Sequence, residues 1–154
     1  MNTFTPKQKA VSCVLKIVVI FSAILGTFLS AYAGRHSFMG GSRVFMYFTI
    51  QSNIAITIIC AAGLKGLFRN KSVSDLWWVI KFVGTVSITL TGAVFCFVLA
   101  PTLGNAAWNL QNILTHVVVP VAAIIDFFVV LLIVGYLYLK IVDILKRFKN
   151  RNPS

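Results

Sequence analysis

Four apolar runs decide what this chain can fold into. They occupy about 11–33, 44–64, 78–100 and 113–139. Each reaches the ~20 residues that a helix needs to cross the hydrocarbon of a bilayer. Lipid offers no hydrogen bonds to a backbone, so spanning segments of this kind must satisfy their own amides as helices. The runs take up most of the 154 residues and leave no stretch for a separate soluble domain. The sequence therefore predicts an all-α fold, a polytopic transmembrane helical bundle of about four spans. A single integral-membrane domain covers 1–154, with a basic tail at 140–154. The charged fraction of 11% agrees, since soluble domains carry about 25%.

The formal net charge of +11 raises nucleic acid as a partner. The distribution of charge excludes it, because the basic residues flank the spans instead of collecting on one soluble face. Lys7 and Lys9 precede the first span, and Lys65, Arg69 and Lys71 separate the second from the third. Lys140, Lys146, Arg147, Lys149 and Arg151 follow the fourth. The opposite side holds only Arg35 and Arg43, and the loop at 101–111 has no charge. By the positive-inside rule both termini are expected in the cytoplasm and the protein in the cell membrane, with the lipid bilayer as its partner. The basic tail also suits an anionic inner leaflet, at about 1 kcal/mol per basic residue near the surface. The positive-inside rule alone explains it equally well. Lys7, Lys9 and the Ala31-Tyr32-Ala33 sequence give the first run some look of a signal peptide. The run exceeds the ~7–15 residues of a signal h-region, so a retained span is expected.

Cys13, Cys60 and Cys96 are odd in number and lie within spans. They read as small packing residues, with no disulfide, metal or cofactor implied. Ser22, Gly26, Ser30 and Gly34 follow one another at i+4 and form an edge that lets a second helix approach closely. Val19 reads as lying off that edge. His36, in the outer loop, reads as solvated. Trp77 and Trp78 open the third span where aromatic-belt residues sit. Lys81, Thr85, Thr89 and Gly92 share one face of that span, and Lys81 is expected to snorkel to the inner surface in preference to pairing. Pro101 is expected to end the span.

Two further polar sets interrupt the apolar runs. In the second span Thr49, Ser52, Asn53 and Cys60 fall on one face, and Gln51 points the opposite way. In the fourth, Asn112, Thr115, His116, Val119, Ala123 and Asp126 lie within about 100° of one another. Polar groups in lipid must face other helices or water, although Thr49 and Ser52 can also bond their own i−4 carbonyls. Pro120 has no N–H to give the carbonyl of His116. An imidazole and a carboxyl within a span are costly, by ~2.5–3.5 kcal/mol or more per charged group, which marks His116 and Asp126 for partners or a use. Thr49 and His116 both lie roughly 5–8 Å below the outer boundary at ~1.5 Å per residue. If they meet, neutral His116 can take the proton of the Thr49 hydroxyl and make it a nucleophile. Asn112 or Asp126 can fix the imidazole tautomer. Asn53, Gln51 or Ser52 can supply donors to a developing oxyanion. The alternative is a non-catalytic membrane protein, either a small-solute carrier or a scaffold for other helices, whose polar stripes serve packing.

The motif Phe48-Thr49-Ile50-Gln51-Ser52-Asn53 after a Gly-Gly loop, together with Asn112-x-x-x-His116-x-x-x-Pro120 and an acidic residue beyond, resembles the androgen-induced and androgen-dependent membrane protein family and its six-span bacterial relatives. The resemblance covers roughly residues 15 to 130. It implies hydrolysis of esters between fatty acids and hydroxy fatty acids, with Thr49 and His116 at the two reactive positions. Family members continue for about two more spans, whereas here a basic tail follows the fourth. The reading therefore includes a pocket left open, or completion by a second copy in a homo-oligomer.

Overall fold

The computed structural model describes residues 6–33, 35, 41–69, 74–129 and 142. Four long helices dominate: α1 (Pro6–Ala33), α2 (Phe48–Arg69), α3 (Asp75–Trp108) and α4 (Leu110–Val129). All are long and apolar enough to cross a membrane. A 3₁₀ turn at Gly41–Met46 leads into α2, and no strand occurs among the described residues. The last part of the expected fourth span, 130–139, and the basic tail lie outside the described residues.

Local chemistry sets the helix starts. Pro6 opens α1, where a missing N–H is harmless. The Ser74 hydroxyl accepts from the Trp77 amide at 3.3 Å and caps α3. The Asn109 carboxamide accepts from the Asn112 amide at 3.0 Å and caps α4. Both caps satisfy N–H groups that a helix start leaves without partners.

The helices run α1 along α2 and α2 along α3, and α4 returns to close against α1 and α3. Val19, Ala23, Ile56, Cys60, Ile88, Val119 and Ala123 form the core between them. Val19 is fully buried there. This corrects the expectation that it lies off the packing edge, because Val19, Ser22, Ala23 and Gly26 follow i, i+3, i+4, i+7 on a single face. The small-residue edge itself meets α4: a Cβ on Gly26 would sit 2.6 Å from Cγ2 of Thr115. Outward positions are largely apolar on every helix. Phe21, Phe28, Ile58 and Phe97 are all more than 60% exposed. In water such a surface would drive association; against lipid it has no such cost.

Pro101 does not end α3, contrary to the expectation from sequence. The chain stays helical through Ala100–Leu103. A proline ring clashes with the carbonyl four residues earlier, here that of Phe97. Phe97 is the middle residue of a π turn, Phe95–Leu99, in which the Ala100 amide reaches back to the Phe95 carbonyl. The same device recurs in α4. The carbonyl facing Pro120 belongs to His116, the middle residue of a second π turn, Leu114–Val118, where the Val119 amide bonds the Leu114 carbonyl. The wider turn admits the ring and keeps the helix going. Gly104, at φ 57°, then stops the α-helical part of α3.

Candidate functional site

The Leu114–Val118 π turn packs against α3 at Gly92, about one turn ahead of the Phe95–Leu99 π turn. A Cβ on Gly92 of α3 would sit 2.8 Å from the His116 carbonyl oxygen and 3.0 Å from Cγ of Pro120. Close approach of backbones at Gly92 brings Phe95 onto His116, with ring centroids 4.2 Å apart and planes within 12°. Trp108 meets Phe95 edge-on at 6.0 Å. Nδ1 of His116 is buried with no hydrogen-bond partner.

Asn53 joins α2 to this level. It is fully buried, and its amide nitrogen donates to the carbonyls of Thr49 at 2.8 Å and Thr115 at 3.4 Å. One side chain thus holds the backbone one turn above it on α2 and the residue preceding His116 on α4. The Oδ1 of Asn53 and the Oγ1 of Thr27 are also buried without partners. No hydrogen bond joins Thr49 to His116 among the described residues.

The remaining expected members of the site have separate duties. Ser52 is buried on the inward face of α2. Gln51 is exposed and donates to the Phe45 carbonyl at 3.2 Å, outside the bundle. The side chain of Asn112 donates to the Ala107 carbonyl at 2.9 Å and organises the turn into α4. Thr115 donates to its own i−4 carbonyl, of Gln111, at 2.8 Å.

Asp126 is not a partner of His116. Ten residues of helix separate them, about 15 Å of axial rise at ~1.5 Å per residue. Its carboxylate is the centre of a second, deeper cluster. Oδ1 accepts from Lys16 at 2.7 Å and from the Ser12 hydroxyl at 2.9 Å. Oδ2 accepts from Lys81 at 2.8 Å. Lys16 also donates to Ser12 at 2.6 Å, and Lys81 reaches the Asp126 carbonyl at 3.4 Å. All four residues are no more than 5% exposed. The expectation that Lys81 snorkels is therefore overturned: inside the bundle a carboxylate reached by two helices outcompetes the climb to the surface. A Cβ on Gly63 would lie 2.9 Å from Cε of Lys16, so the bare backbone there leaves room for the lysine stem.

Lys16 is the residue that sequence reasoning passed over. It hides in an apolar run that a hydropathy window counts as unbroken. A signal existed: Lys16, Lys81 and Asp126 are the charged residues within the apolar runs, and charges at that depth pair with one another. The cysteines stay apart as free thiols, and no group of three metal-binding side chains occurs among the described residues.

Family models, curated proteins and solved structures offer no match to this chain. Its geometry carries the functional reading.

Proposed function

We propose that this is an integral protein of the cell membrane, with both termini in the cytoplasm, that hydrolyses an ester lipid through Thr49 and His116. The observation that carries the reading is the Asn53 bridge, which fixes the helix turns bearing Thr49 and His116 at one level. The buried, unpartnered Nδ1 of His116 adds to it, because a general base needs an uncommitted lone pair.

In this mechanism neutral His116 takes the Thr49 hydroxyl proton as Oγ1 attacks the ester carbonyl. The imidazolium returns that proton to the departing alcohol oxygen. Water, deprotonated by the same histidine, then attacks the acyl-threonine carbonyl; the imidazolium returns the proton to Thr49 Oγ1 as the C–O bond breaks and the fatty acid leaves. Both donors of Asn53 are already engaged with carbonyls, and Gln51 faces outward. Asn53 therefore orients the site, and Ser52 is left as the side-chain donor for the oxyanion. Stacking on Phe95 fixes the imidazole plane, and substrate entry must bring the ring and the Thr49 hydroxyl into contact.

Purified protein should cleave a fatty-acid ester of a hydroxy fatty acid above an empty-membrane control. Thr49→Ala and His116→Ala should each abolish turnover, and the double variant should be no worse than either single one, since residues acting as a unit are non-additive. Wild-type turnover retained in Thr49→Ala ends the proposal. A second reading, a non-catalytic carrier or helix-binding scaffold, is favoured by the missing Thr49–His116 bond and by the polar effort invested at Asp126.

A further inference from the structure

The Asp126 cluster carries more positive charge than negative. Two ammonium groups face one carboxylate, and no other acidic side chain reaches it among the described residues. An uncompensated charge in a low-dielectric interior is expensive, and such charges are paired or neutralised. The hydrogen bonds show the same surplus. Each ammonium has three N–H donors. Lys16 places two, on Ser12 and Asp126, and Lys81 places two, on the carboxylate and carbonyl of Asp126. Each lysine thus keeps one donor beyond its partners among the described residues.

Beside those donors lies a cavity of about 20 Å³, walled by Ile56, Ile59 and Trp77 and bordered by Lys16, Lys81 and Asp126. A volume of ~10–15 Å³ on this measure admits one water. The space is therefore sized for one small occupant.

We propose that this cavity binds a single monovalent anion of halide size, held by the two remaining lysine N–H groups. The anion brings the cluster to neutrality, two positive against two negative, and completes the bonding of both ammonium groups. The site lies deep to the Thr49–His116 level and does not depend on the hydrolase reading. The opposing account is that one lysine is neutral and the cavity takes water; it needs no anion.

The test uses the full chain in detergent at constant ionic strength, with chloride exchanged for gluconate, which is too large for the cavity. The wild type should melt several degrees higher in chloride. The gain should follow a saturating titration, as mass action on a folded-state site requires. Lys16→Met and Lys81→Met each leave one lysine facing one carboxylate, a neutral pair, and should lose the chloride gain while keeping the helical circular-dichroism spectrum. An unchanged wild-type melt, or the same chloride gain in both variants, overturns the proposal. If neither variant folds, bromide quenching of tryptophan decides the matter in the wild-type fold. Trp77 borders the cavity, so a saturable quenching component should be present and should vanish in Trp77→Phe. A purely collisional response in the wild type overturns the site.

Discussion

Gly92 offers the sharpest test of how α3 and α4 are packed. A methyl group added there meets the His116 carbonyl oxygen at 2.8 Å and the Pro120 ring at 3.0 and 3.1 Å. Neither neighbour can swing aside, because one is backbone within a π turn and the other is a ring fused to the backbone. Overpacking of this kind costs about 1–3 kcal/mol. Alanine in place of glycine in a helix interior returns about 1 kcal/mol. The net loss for Gly92→Ala is then on the order of 0–2 kcal/mol, or a fall of roughly 0–8 °C in Tm for a chain of this size, and about 1–3 kcal/mol relative to a glycine-to-alanine change that meets no neighbour. Gly66, in α2, is the internal control: a Cβ there meets nothing within 4 Å. Gly66→Ala keeps only the propensity gain and should melt at or above the wild type. The measurement is thermal unfolding in detergent followed by circular dichroism. If Gly92→Ala moves with Gly66→Ala, α3 does not pack on the His116 turn at Gly92 and the stacking of Phe95 on His116 loses its support.

Three further outcomes follow from particular contacts. Asp126→Leu leaves Lys16 and Lys81 facing each other without a carboxylate and should destabilise the fold by about 3–5 kcal/mol. Lys81→Met should cost clearly less, because Lys16 and Ser12 still hold Asp126; chemical denaturation that ranks them the other way refutes the cluster. Gly26→Leu should destabilise the fold through its clash with Thr115, by about 1–3 kcal/mol, and lower the melting temperature. Ile24→Leu, at a position 58% exposed, should not; equal melting would remove the α1–α4 contact. For topology, reporter fusions after Gly40 and Asn105 should read outside, and those after Asn70 and Ser154 cytoplasmic. A cytoplasmic signal at Asn105 contradicts the four-span arrangement.

The number and type of the long helices were legible in the sequence because transfer into lipid is a sum over neighbouring residues and leaves a local trace. The inward set of α2, with Ser52, Asn53 and Cys60 buried and Gln51 out, was legible for the related reason that helical periodicity is local. The packing edge at Ser22 and Gly26 was legible in part; the same helical phase places Val19 on it. Pro101 misled because a proline breaks a regular helix, and nothing nearby in sequence announces the π turn that absorbs it. Lys81 misled for a different reason. Its choice between the surface and Asp126 depends on a residue 45 positions away, and on Lys16, a further 65 positions upstream of Lys81, converging on the same carboxylate. The sequence by itself determined which segments are long and apolar enough to cross a membrane and which of their faces are polar. Only the tertiary structure decided which polar groups meet: His116 with Phe95, Asn53 with the Thr115 carbonyl, and Asp126 with two lysines. Those choices are made by the approach of backbones at Gly26, Gly63 and Gly92, a property of pairs of helices that no single stretch of chain contains.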